Sequence, residues 1–138
     1  MSLPALNMTI SQRLQFDPKI LTVDDDPDIG IALTDLLNQE GYAVTVVETG
    51  YAAIEASEQN QFQAVILDLG LPDLDGWDVL TQMLDRDPEL PIIILTAYSS
   101  LERNTSKVHQ SRAFAYLSKP FDRKELKDTI HRAIQIRT

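Results

Sequence analysis

Five short apolar runs punctuate the chain from Lys19 onward: KILTVD (19–24), AVTVVE (43–48), AVILD (64–68), IIILT (92–96) and FAYLS (114–118). Several are apolar at nearly every position instead of alternating, which suits strands that show apolar side chains to both faces of a parallel sheet. Such strands must be covered on both sides. The intervening segments can supply the cover: residues 28–39 place Ile29, Leu33, Leu36 and Leu37 at helical spacing, with Gly41 as a stop. Residues 76–85 carry Val79, Leu80, Met83 and Leu84 in the same way, and residues 122–136 carry Leu126, Ile130, Ala133 and Ile134. A shorter second helix is expected over Ala52–Gln59. The fourth, in SSLERNTSKVHQSR, has the thinnest stripe, because only Leu101 and Val108 are strongly apolar and Asn104, Thr105 and Ser106 are mediocre helix formers. It is expected to be the least stable element.

Five strands alternating with five helices predict a doubly wound α/β domain, (βα)5, with a parallel sheet and right-handed crossovers. A chain of 138 residues is the size of one such domain. Residues 1–18 fit no βα unit and are expected to form a poorly ordered N-terminal arm, leaving 19–138 as the domain. Twenty-one acids against twelve Lys and Arg give a net charge of -9, and the densest basic stretch, FDRKELKD, is interleaved with acids. That balance repels phosphate backbones and anionic membranes, so neither nucleic acid nor membrane is an expected partner. The absence of Cys excludes disulfides and thiolate metal sites, and no apolar run approaches a membrane span; a cytoplasmic location is the default expectation.

In open α/β sheets ligands bind outside the carboxyl ends of the strands. The predicted ends carry Asp24 and Asp25, then Asp68, Thr96 and Lys119. Three carboxylates on one edge repel, by about 4 kcal/mol for two charges about 4 Å apart at a surface-like dielectric, and require a cation. Hard oxygen donors without thiolate or paired His suit Mg²⁺. Beside such an ion a carboxylate can attack phosphorus, while a lysine pairs with phosphate oxygens and a threonine donates to them. Asp26 before Pro27 has the order of a helix N-cap followed by Pro in the first turn, with Asp28 adding favourable negative charge there.

VDDDP, VILDLGLPDLDGWDVL, IIILTAYSS and AYLSKPFD together strongly resemble the receiver domain of two-component response regulators, over about residues 19–136. The resemblance implies a flavodoxin-like strand order 2-1-3-4-5. It implies that Asp68 is the phosphoacceptor, Asp25 a direct Mg²⁺ ligand, Asp24 an acid that holds the ion mainly through water, and Gly70 a ligand through its backbone carbonyl. Mn²⁺ or Ca²⁺ are expected substitutes. Thr96 and Tyr116 would be the switch pair, Lys119 would bind the phosphoryl group, and the Lys119–Pro120 peptide is similar to one that is cis in the family. Partners implied are a sensor histidine kinase or phosphotransfer protein as donor, an output domain or effector (transcription regulation among the outputs), and a second copy through the helix 4–strand 5–helix 5 face. Such a domain catalyses only its own aspartyl phosphorylation and dephosphorylation. The chain is expected to be either a stand-alone regulator or a fragment whose effector domain lies elsewhere.

This sequence departs from the pattern at Arg112, where many members place Gly; a positive φ there would strain the turn. Gly70 offers no side chain to cover a phosphoryl group, whereas Tyr98, two residues after Thr96, could shield it. His109 and His131 are expected on the surface, Trp77 in packing, and Tyr98 and Phe121 in packing or, less readily, a partner surface. Two rival readings stand beside this one. In a Mg²⁺-dependent phosphohydrolase of the haloacid dehalogenase type, DDD would be parsed D-x-D, with Asp24 the nucleophile and Asp26 a general acid; the chain is short for that, and Asp68 is left without a role. The other rival is a receiver-like module that binds partners without phosphorylation.

Overall fold

The computed structural model describes residues 17–137. The expected arm therefore lies outside the described residues, apart from Asp17 and Pro18. The apolar runs form β1 (Lys19–Val23), β2 (Ala43–Val47), β3 (Ala64–Leu67), β4 (Ile92–Ala97) and β5 (Ala115–Lys119). All four pairings are parallel, and the order is β2-β1-β3-β4-β5, the expected 2-1-3-4-5. Helices α1 (Pro27–Gln39), α2 (Gly50–Gln59), α3 (Gly76–Arg86), α4 (Tyr98–Arg103), α5 (Thr105–Gln110) and α6 (Arg123–Arg137) follow the strands.

Alternate residues of the central strands feed two separate cores. Leu21, Val23, Val65, Leu67, Ile92 and Ile94 face α2 and α3, meeting Ala53, Val79, Leu80 and Met83. Ile20, Ile66, Ile93 and Leu95 face the other way, onto Leu33, Leu36 and Leu37 of α1 and Leu126, Ile130 and Ala133 of α6. A fully buried Leu or Ile contributes about 1.5–3 kcal/mol, so both layers are held firmly. The edge strand β2 differs: none of its residues is fully buried, and its continuous apolar run covers a sheet margin and not an interior.

Local chemistry sets the boundaries. Asp26 caps α1 by accepting from Asp28 N at 2.9 Å, and Pro27 takes the first turn, where its missing N–H costs nothing. Gly41, at φ +89°, ends that helix, and it is the one residue with positive φ among those described. Asp75 caps α3 on Trp77 N at 2.9 Å. Gly76 follows because a Cβ there would stand 2.5 Å from Leu69 Cα, closer than any side chain can approach.

One expectation is corrected. The fourth helix is two short helices, so six helices stand where five were expected. The break falls at Asn104, whose side chain donates to Ser100 O at 2.6 Å, while Thr105 Oγ1 donates to Glu102 O at 2.8 Å. These polar side chains compete for the carbonyls that a continuous helix would use. No residue of α4 or α5 is buried, and neither start has a side-chain cap. At Arg112 φ is not positive, so the turn carries none of the strain that a left-handed Arg would impose.

Thr22, fully buried in β1, has a hydroxyl without a hydrogen-bond partner. Leaving such a group unsatisfied costs about 1–3 kcal/mol. Thr22→Val is expected to raise unfolding stability by about 1 kcal/mol in urea titrations; a loss of stability would show that the hydroxyl is satisfied.

Candidate functional site

The parallel ladder runs past the strand ends: Asp24 N donates to Val47 O at 3.1 Å and Asp68 N to Val23 O at 2.9 Å. This sets Asp24 and Asp68 side by side where β1 and β3 finish, at the point where strand order reverses. Both are buried, at 3% and 7% exposure, whereas Asp25 is exposed. One carboxylate oxygen from each of the three lies within 4.8 Å of the others.

Lys119, at the end of β5, reaches across β4 to both buried acids. Its Nζ lies 2.6 Å from Asp24 Oδ2 and 2.9 Å from Asp68 Oδ2. The second oxygen of Asp68 accepts from Thr96 Oγ1 at 2.7 Å and from Gly70 N at 3.1 Å. Asp24 Oδ1 accepts from Asp26 N at 2.9 Å. Burial pushes the Asp24 carboxyl above its ordinary range, against the pull of Lys119. Burial alone would lower Lys119, but its hydrogen bonds to Asp24 and Asp68 outweigh that and raise it. One ammonium shared by two buried carboxylates compensates neither fully.

The donor set fits Mg²⁺. It is built of hard carboxylate oxygens, it carries more negative than positive charge, and its exposed member Asp25 opens to solvent, where a magnesium ion could keep waters. Lys119–Pro120 is a cis peptide.

Tyr116 stands apart from the carboxylates but on the Thr96 side of the sheet, since β5 pairs Tyr116 with Ile94 and Ser118 with Thr96. Its hydroxyl donates to Val108 O at 3.2 Å and hydrogen-bonds Ser111 Oγ. Its half-buried ring lies 6.3 Å from that of Trp77, which is itself buried in packing as expected. Phe121 packs against the α1–α6 core, Tyr98 is 62% exposed, and His109 and His131 are on the surface. Asp26 stays at its helix start.

Two polar residues of this region were not singled out from the sequence. Ser111 holds Tyr116, and Asp73 accepts from Gly50 N at 2.8 Å and Tyr51 N at 2.9 Å, joining the β3–α3 loop to α2. An acid after Pro72 signals a turn, and nothing local signals a helix partner more than twenty positions back.

A doubly wound sheet with three acids, a hydroxyl and a lysine on its carboxyl edge is an arrangement that fits phosphorylation of a carboxylate. Residues 20–131 match the response regulator receiver domain, and the chain belongs to that family. It is 31% identical to sporulation initiation phosphotransferase F of Bacillus subtilis, over 87% of this chain and 96% of that protein. It is 37% identical to the DNA-binding transcriptional regulator NtrC of Escherichia coli K12, over 83% of this chain and 24% of NtrC. The chain thus spans about a quarter of the length of NtrC, and likewise of the response regulator protein FleR of Pseudomonas aeruginosa. Among solved structures, the receiver domain of the sensor histidine kinase PA1611 of P. aeruginosa superposes with a TM-score of 0.79 at 32% identity, covering 86% of this chain and 98% of that one. That structure has a magnesium ion coordinated in its active site cleft.

Lys119→Met would leave two buried carboxylates facing each other without a counter-charge. At neutral pH the variant is expected to lose about 3 kcal/mol, as for removal of one partner of a buried pair. The wild-type contribution of Lys119 is complete below the ordinary lysine value and fades only as pH rises through the raised one. Asp24 runs the other way: its burial penalty is present at neutral pH and is relieved as pH falls through its raised value toward the unfolded one. The deficit of the variant should therefore shrink on acidification, and a deficit constant from neutral to acid pH in denaturant titrations would contradict this.

Proposed function

We propose that this domain is a phosphorylation-dependent switch whose Asp68 accepts a phosphoryl group from a phosphohistidine of a sensor kinase or phosphotransfer protein. The observation that carries the reading is the division of labour at Asp68: Lys119 Nζ binds one oxygen, and Thr96 Oγ1 binds the other. An Asp68 oxygen attacks phosphorus, an acyl phosphate bond forms, the P–N bond breaks, and its electron pair returns to the imidazole ring. Lys119 then serves the phosphoryl oxygens as a point charge, and Thr96 turns its hydroxyl from the carboxylate to the same group. Asp24, Asp25, Asp68 and the Gly70 carbonyl would hold Mg²⁺, which when bound neutralises charge on the group being transferred. Mn²⁺ and Ca²⁺ suit the same oxygen donors. Hydrolysis of the acyl phosphate by water at this site resets the switch.

The output follows from the hydroxyl chemistry on either side of β4. Withdrawal of Thr96 toward the phosphoryl group frees space that Tyr116 fills, drawing its hydroxyl from Val108 and Ser111 and loosening α5. The affected surface is α4–α5, β5 and α6, through which an output domain, an effector or a second copy would be controlled. A phosphoryl group of charge about -2 biases this pre-existing equilibrium. The reading places the domain in the cytoplasm; no helix among the described residues is long and apolar enough to cross a membrane.

Against the phosphohydrolase reading, the Asp26 carboxylate is committed to capping α1 at Asp28 N. Incubation with Mg²⁺ and a small phosphodonor, followed by intact mass measurement, should give a labile adduct of one phosphoryl group that is lost in Asp68→Asn. An adduct that instead tracks Asp24 would support the hydrolase, and no adduct would support the binding module. The switch has its own readout, because Trp77 is the one tryptophan of the chain and packs on Tyr116. Thr96→Ala is expected to retain phosphorylation while losing most of the accompanying change in Trp77 fluorescence. A full change in that variant would remove Thr96 from the switch.

A further inference from the structure

On the metal reading Gly70 would act through its backbone carbonyl, whose position depends on how the β3–α3 loop is anchored. A Cβ added at Gly70 would meet nothing nearer than Asp68 Oδ1 at 3.9 Å, so side-chain packing does not hold this residue. The loop is fastened elsewhere. At one side Gly70 bridges to Asp75, the cap of α3. At the tip, the Asp73 carboxylate accepts from Gly50 N at 2.8 Å and Tyr51 N at 2.9 Å. These are first-turn donors with no partner inside α2. Leu74 closes the same contact: a Cβ on Gly50 would come within 2.9 Å of its side chain. The hydrogen bonds, that from Tyr51 foremost, hold the Asp73 carboxyl below its ordinary range.

We propose that Asp73 is a positioning residue, whose paired hydrogen bonds to α2 hold the loop so that the Gly70 carbonyl can serve the metal. This rests on the metal-dependent reading above. Asp73 is not one of the three clustered acids, and both its oxygens are taken up by α2; it acts through the backbone between Asp68 and Asp75. Supports of this outer kind commonly change metal affinity about 10–100-fold when removed.

The test is calorimetric titration of the full chain with Mg²⁺ alone, for wild type, Asp73→Ala, Asp73→Asn and Thr49→Ala. Thr49 is the control because its hydroxyl caps the same helix, accepting from Ala52 N at 3.1 Å, without a hydrogen bond to the loop. Asp73→Ala is expected to bind Mg²⁺ about tenfold more weakly. Asp73→Asn, which keeps one acceptor oxygen, should fall between the two. Thr49→Ala should lower the thermal midpoint comparably yet keep affinity within about twofold of wild type. Wild-type affinity in folded Asp73→Ala, or equal weakening in Thr49→Ala, would overturn the positioning role and leave the metal site standing. If Asp73→Ala does not fold by circular dichroism, Asp73→Asn decides alone, with wild-type affinity overturning the proposal. Absence of Mg²⁺ binding by the wild type itself would overturn the metal reading, and the proposal with it.

Discussion

The ammonium group of Lys119 holds the carboxyl edge of the sheet together. Asp24 and Asp68 are both removed from water and face each other, an arrangement that costs several kcal/mol per ion unless an opposite charge is delivered to the same place. Lys119 delivers it at 2.6 and 2.9 Å, from a strand that borders neither β1 nor β3. The compensation is partial, since one positive charge serves two buried acids and the exposed Asp25 adds a third. This partial compensation lets the edge fold, while the residual negative charge suits a divalent cation. On the proposed function, the same lysine would already be aimed at the phosphoacceptor.

Topology links this local electrostatics to the helices beyond β4. Because strand order reverses between β1 and β3, the acids of two non-consecutive turns become neighbours, and β4 lies between Asp68 and Lys119. Thr96, at the end of β4, touches Asp68 on one side and shares a sheet face with Tyr116 on the other. Tyr116 in turn holds the end of α5 through Val108 and Ser111. The sequence of neighbours thus leads from the buried acids of the sheet edge to the two helices that bury no residue of their own. Elements with so few buried contacts lie at the low-stability end of a fold.

Much of this architecture is legible in the residues. The central strands are apolar throughout because both faces are covered, and the cap at Asp26 and the stop at Gly41 act over two or three residues. The site acids, Thr96 and Lys119 are recognisable as a set at strand ends. Other features resisted reading. The apolar run of β2 matches those of interior strands although β2 is an edge, because the run records composition and not neighbours. The split at Asn104 depends on which carbonyls Asn104 and Thr105 capture, a competition that helix propensity ranks only loosely. Nothing local ties Asp73 to Gly50 and Tyr51.

By itself, then, the sequence determined the alternation of strand and helix, the ends of most helices and the chemical types gathered at the sheet edge. Those properties follow from periodicity and from hydrogen bonds that span a few positions. The tertiary structure decided which distant partner the other acids take: Asp73 the start of α2, Asp24 and Asp68 a shared lysine. Asp68 and Lys119 are 51 positions apart, and their meeting depends on strand order and register. A carboxylate at the end of a strand is chemically the same residue as one at the start of a helix; the charge opposite it, supplied by a distant part of the chain, makes it a site.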